Sequence, residues 1–92
     1  MRTIRWNLEK NKILKQERSI CFDDVLIAIE EDKLLAIEAH PNKEQYPHQR
    51  ILIVNIQGYI HIVPFVEDKQ GIFLKTVFPS RTYHKKYKHL IS

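Results

Sequence analysis

The sequence holds one cysteine, two glycines and no apolar stretch of membrane-spanning length, and from Lys75 to Ser92 it holds no carboxylate at all. Each shortage removes a class of protein. A lone Cys21 excludes an intrachain disulfide and fits a reducing compartment. Gly58 and Gly71 stand far apart, so no glycine-rich loop is there to cradle a nucleotide phosphate. A membrane helix needs roughly 18 apolar residues in a row, and none is present. The first residues, Met1-Arg2-Thr3-Ile4-Arg5-Trp6, are basic without the apolar run of a secretion signal. A cytoplasmic protein with no membrane contact is expected. Five histidines invite a metal reading, but no two ligands stand at a C-x-x-C, H-x-x-x-H or H-E-x-x-H interval. His84 and His89 are five apart, about 140° around a helix, and diverge. No metal and no cofactor is expected. Cys21, ahead of a helix start, is either a thiol activated by the dipole or a quiet buried one.

What is present is a 92-residue chain, 43% hydrophobic and 28% charged, the composition of one folded domain over residues 1–92. The net charge of +4 hides an asymmetry. Residues 1–18 sum to +4, residues 19–44 to −5, residues 45–74 to zero and residues 75–92 to +5. If both ends meet in the fold, they make one positive face opposed by an acidic one. The first suits nucleic acid and the second a basic partner.

Residues 3–6 alternate as a short strand. Asn7 is a candidate N-cap for a helix over 8–16, packing chiefly through Leu8, Ile13 and Leu14. Phe22, Val25, Leu26 and Ile29 recur at helical spacing, with Asp23 and Asp24 in the first turn where the dipole favours them. Residues 34–39 read as a strand and 40–48 as a loop punctuated by Pro41, Asn42 and Pro47. β-branched runs at 51–56 and 59–66 meet at Gln57-Gly58 in a tight hairpin. Pro64 predicts an edge position or a bulge. A third run, 72–78, stops at Pro79, and Ser80 caps a last helix. Tyr83, Tyr87, Leu90 and Ile91 fall on one side of that helix and Arg81, Lys85 and Lys88 on the other. The fold class is α+β: N-terminal helices packed on a three- to four-stranded antiparallel sheet, with a short C-terminal basic helix.

The chemistry gathers in the last third. Cations without counter-charges, interleaved with tyrosines, suit a polyanion and also stabilise charge developing on a cleaved phosphate. His61 interrupts an apolar strand, as does Lys75. A turn symmetric about Lys69 pairs Val63 with Lys75 and sets His61 diagonally beside it, roughly 7–8 Å away. An imidazole and an ammonium so placed can bracket a phosphodiester; alternatively, both line the solvent face of an antiparallel sheet.

Trp6-Asn7 with Lys10 four residues after the aromatic, Ile20-Cys21-Phe22-Asp23-Asp24, Lys75 on the last strand, Pro79-Ser80-Arg81, Tyr83-His84-Lys85 and Tyr87 together resemble the BrnT-like ribonuclease toxins of bacterial toxin–antitoxin pairs. The likeness runs over nearly the whole chain in short pieces. It departs at Glu17-Arg18-Ser19, where the family has Lys-His-Gly, and at Lys85, where the family's arginine fork is lost. The resemblance implies a compact RelE-like α+β fold. It also implies a cognate ribbon-helix-helix antitoxin that masks the toxin, with operator DNA bound only through that antitoxin.

The expected function is metal-independent endoribonucleolytic cleavage of mRNA. His61 is the expected base or acid, Lys75 and Arg81 hold the phosphate, and Tyr87 positions or acts as a weak acid. Lys10 and Arg50 extend the cationic rim, Lys85 and Lys88 add RNA contacts, and Tyr46 and Tyr83 can stack on unpaired bases. Core packing is the competing role for Tyr83. The alternatives are a nucleic-acid-binding module without chemistry, or a protein-interaction domain whose basic helix docks on an acidic partner.

Overall fold

The structure is a computed structural model and describes residues 3–91. Strand β1 (Thr3–Trp6) leads through helices α1 (Leu8–Arg18) and α2 (Phe22–Glu30) to β2 (Leu34–Ala39), β3 (Arg50–Ile56), β4 (Tyr59–Asp68), β5 (Gly71–Leu74), β6 (Phe78–Pro79) and helix α3 (Arg81–Tyr87). A 3-10 turn, Lys88–Leu90, follows α3. The class is α+β, with a larger and mixed sheet in place of the expected three or four antiparallel strands. Its order is β1-β5-β4-β3-β2, and β6 continues beside β4 where β5 ends. β1 pairs with β5 in parallel, Trp6 opposite Leu74. The other pairs are antiparallel.

Alternation along the strands gives the sheet two apolar faces. One carries Leu52, Val54, Val63, Phe65 and Leu74 and receives Leu14, Phe22, Val25 and Ala28 from α1 and α2. Phe22 is wholly buried and stacks on Trp6, ring centroids 5.7 Å apart. Burying a side chain of this size contributes about 1.5–3 kcal/mol. α1 gives the core only Leu14; Leu8 is 75% and Ile13 44% exposed, so the expected packing through all three reduces to one. Asn11 ties the two helices: its Oδ1 accepts from the Phe22 N–H at 2.7 Å and its Nδ2 donates to Asp23 at 3.0 Å. That gives the start of α2 a cap from another helix, where its own N-cap residue is Cys21.

The second face carries Ile51, Ile53, Ile60 and Ile62 and is covered by Tyr83 and Tyr87 of α3 and by Ile91 beyond the 3-10 turn. Leu90, lifted by the 3-10 turn, is 52% exposed and leaves the expected apolar side.

Pro64 lies in β4, a central strand, opposite Ile51. Its carbonyl accepts from the Lys75 N–H at 2.8 Å, so its ring nitrogen, which has no hydrogen to donate, points the same way, toward β5 and β6. Residues 75–77 between those strands are irregular. The missing donor therefore meets the one break in the neighbouring ladder. Gly71 has φ +139, and a Cβ there would run into the Thr3 backbone. Glycine lets β1 lie against β5.

Candidate nucleic-acid interface

Lys10 and Lys75 come together because of the parallel β1–β5 pair. Trp6 lies opposite Leu74, so each strand hands on to its lysine at the same end of the sheet. Asn7 then starts α1 at once, its side chain accepting from the Lys10 N–H at 2.9 Å. The two lysines form the wall between two surface depressions. One, of about 510 Å³, also takes in Asn7, Glu9 and Phe73. The other, of about 420 Å³, is lined by His40, Tyr46, Gln49 and Phe78 as well as both lysines and, among the described residues, by no carboxylate. Neither lysine is in an ion pair among the described residues; the Lys75 ammonium sits 5.6 Å from the centre of the Phe73 ring.

The loop after β2 supplies His40, Tyr46 and Gln49 to the same lining. His40 N–H donates to the Gln49 carbonyl, Tyr46 N–H to the Asn42 carbonyl and Gln49 N–H to the Tyr46 carbonyl. Asn42 also binds Gln45 through its side-chain amide at 3.0 Å. These bonds fix an exposed segment and bring the His40 and Tyr46 rings to 4.6 Å between centroids. Tyr46 remains 37% exposed, so an arriving base can find a ring there. His40 was missed at the level of sequence because a lone loop histidine has no spacing signal; the flanking Pro41-Asn42 turn was the available hint.

His61 is elsewhere. The turn is not symmetric about Lys69: Phe65 pairs with Leu74 and His61 with Pro79, so Lys75 falls opposite Pro64, not Val63. A one-residue slip moves a side chain to the other face of the sheet. Lys75 goes to the α3 side, while His61 follows Val63 and Phe65 beneath α1 and α2. There it is 5% exposed, its Nδ1 2.9 Å from the Tyr59 carbonyl, and burial pushes its pKa down. The expected His61–Lys75 bracket does not form.

Arg50 leaves the rim as well. It projects on the α1/α2 face, paired with Glu67 and 5.3 Å from the centre of the Phe65 ring. Tyr87 donates its hydroxyl to Glu38 of β2, which Lys86 also binds at 3.0 Å. The Glu38 hydrogen bond raises the Tyr87 pKa, and the same bond lowers that of Glu38. Tyr87 thus pins α3 to the sheet edge and is a poorer acid than a free phenol. Tyr83 packs half-buried on the α3 face, in the core-packing role that competes with base stacking. Cys21 is buried, and burial raises its pKa, which argues for the quiet thiol.

Arg81, Lys85 and Lys88 are exposed and unpaired among the described residues. Ser80 N–H donates to Ile60 and Lys75 N–H to Pro64, four residues apart on β4, or about 13 Å. Arg81 therefore starts a second cationic patch instead of sharing the lining around Lys75. Between the ends of that strip, His84 accepts from the Ile60 N–H at 3.2 Å and stacks on Tyr59 at 4.0 Å.

Among the described residues no three His, Cys, Asp or Glu side chains are grouped to hold a metal ion, and no helix is long and apolar enough to cross a membrane. No family model, curated protein or solved structure matches the chain.

Proposed function

We propose that this chain is the toxin of a type II toxin–antitoxin pair, a metal-independent endoribonuclease of the BrnT-like kind with a RelE-like version of the α+β fold. The observation that carries the reading is the depression that Lys10 and Lys75, unpaired among the described residues, line together with His40 and Tyr46, and in which no described carboxylate takes part. Cleavage of RNA without a metal needs cations on the pentacoordinate phosphorus, a path for the 2′-OH proton and a proton for the leaving 5′-oxygen. Lys10 and Lys75 supply the cations, Tyr46 a stacking ring for an unpaired base, and the Arg81–Lys88 strip further phosphate contacts. The need for a 2′-OH restricts cleavage to RNA. The sequence likeness supports the same reading at Trp6-Asn7, Lys10, Lys75 and Ser80-Arg81.

The partner is a ribbon-helix-helix antitoxin that reaches operator DNA itself. Its acidic extension covers α3, because carboxylates laid on Arg81, Lys85 and Lys88 neutralise the site and steer association. Expression without that partner is expected to arrest growth and to create new 5′ ends in total RNA by primer extension. Intact RNA with normal growth would remove the enzyme. A binding module would then remain, favoured by the unpaired α3 cations standing apart from the depression.

A further inference from the structure

His40 has one ring nitrogen committed and one free. Its Nδ1 accepts from the Asn42 N–H at 3.0 Å. Its Nε2 has no partner among the described residues and is not shut away from solvent. A backbone N–H can only donate, so the lone pair at Nδ1 must accept, and the neutral ring carries its proton at Nε2. A protonated ring would turn two donors toward each other at Nδ1. The turn through Asn42, held by the Tyr46 N–H and the Gln45 side chain, keeps this N–H in place.

We propose that His40 acts in the depression as a neutral hydrogen-bond donor to a nonbridging oxygen of the scissile phosphate, and transfers no proton. The inference rests on the ribonuclease reading and deepens it by naming a third group on the phosphate. In the step concerned, the 2′-oxygen bonds to phosphorus as its proton passes to solvent water. The P–O5′ bond then breaks and the 5′-oxygen takes a proton from water. Between the two, negative charge concentrates on the nonbridging oxygens, and Lys10, Lys75 and His40 all line the depression that would hold them. A neutral imidazole is a very weak acid, so its part is to hold that charge. Tyr46, packed against the ring, keeps the imidazole plane from turning.

Three substitutions separate this role from its rivals. His40→Gln puts an amide N–H near the place of Nε2 without a titrating group; His40→Asn keeps an acceptor for the Asn42 turn while its own amide N–H stops short of the place of Nε2; His40→Ala keeps neither. In single-turnover cleavage of a synthetic single-stranded RNA, Gln is expected to stay within about tenfold of the native rate. Asn and Ala are expected to fall by about 10²–10³-fold, the loss seen when one oxyanion donor is removed. Gln as impaired as Ala would mean that a proton must move, and Asn as active as native would mean a structural role only; either overturns the proposal. Nitrogen-15 NMR of the native protein gives an independent reading: the Nε2–H tautomer at His40 is required, and the Nδ1–H tautomer refutes it. If the native protein cuts no RNA, the ribonuclease reading falls on its own. The donor is then judged with inorganic phosphate, which should shift the His40 Nε2–H signal in the native protein and not in Lys75→Ala. No shift would overturn it.

Discussion

The two faces of the sheet each hold a histidine, and the contrast between them locates the chemistry. On the α1/α2 face, His61 lies among Val54, Val63 and Phe65, 5% exposed, its pKa pushed down by burial. On the α3 side, His40 sits on a hydrogen-bonded loop facing two unpaired lysines, with one ring nitrogen open. A buried histidine that avoids its charge serves packing. A histidine at the rim of a cationic depression can meet an anion. The difference arises from cover: α2 closes its face with Phe22, Val25 and Ala28, whereas α3 is short and leaves the end of its face near Lys75 open.

The largest effect should come from emptying the depression. Lys10→Ala with Lys75→Ala is expected to lower single-turnover RNA cleavage by at least about 10³-fold. The urea midpoint should barely change, since both lysines are exposed. Loss of stability together with cleavage would mean that the lysines build the fold instead.

Next in size is the closed face. Phe22→Ala should cost about 3–5 kcal/mol in urea unfolding, because a wholly buried ring leaves a cavity against Trp6 and Val25. A cost under about 1 kcal/mol would mean that Phe22 does not close this face.

Gly71→Ala tests how one face is built from the other's edge. The Cβ meets the Thr3 backbone and the φ of +139 is strained for alanine, so about 1–3 kcal/mol should be lost. Cleavage should drop further than stability explains, because β1 positions Lys10. Equal effects on both would disconnect Lys10 from the site.

His61 offers a pH test. Its folded pKa lies below the unfolded value, so the unfolded chain binds the extra proton as pH falls below about 6.5. Stability should decline from there down toward the folded pKa, and be level above. His61→Leu should flatten that decline when urea midpoints are compared between pH 7.5 and 5. An unchanged slope would place the acid sensitivity elsewhere.

Much of this was legible in the sequence. The hairpin 51–66 announced itself through β-branched runs around Gln57-Gly58, and α2 through the spacing of Phe22, Val25 and Ile29. The basic side of α3 followed from Arg81, Lys85 and Lys88. What stayed hidden was long-range. The parallel β1–β5 pair joins residues nearly seventy positions apart and has no local signature. Without it, Lys10 could be named but not brought beside Lys75. Register past the turn at 67–71 was read as symmetric, and the irregular residues 75–77 shift it again before β6. The first of these one-residue slips put Lys75 on the opposite face from His61. Nothing local told that Tyr87, expected as a positioner or weak acid, is tied up, because its partner Glu38 lies on a strand far away in sequence.

The smallest effects belong to the outer strip. Lys85→Ala and Lys88→Ala should each reduce the slope of log affinity against log salt for single-stranded RNA by about 0.7, with cleavage of bound RNA unaltered. A changed cleavage step would extend the depression to α3.

The most direct test is a side-by-side measurement of single-turnover cleavage of one single-stranded RNA by Lys75→Met and His61→Leu. Lys75→Met is expected to lose at least about 10²-fold while His61→Leu keeps the native rate within about threefold. A dead His61→Leu beside an active Lys75→Met, both folded, would put the chemistry on the closed face and contradict its assignment to the Lys10–Lys75 depression.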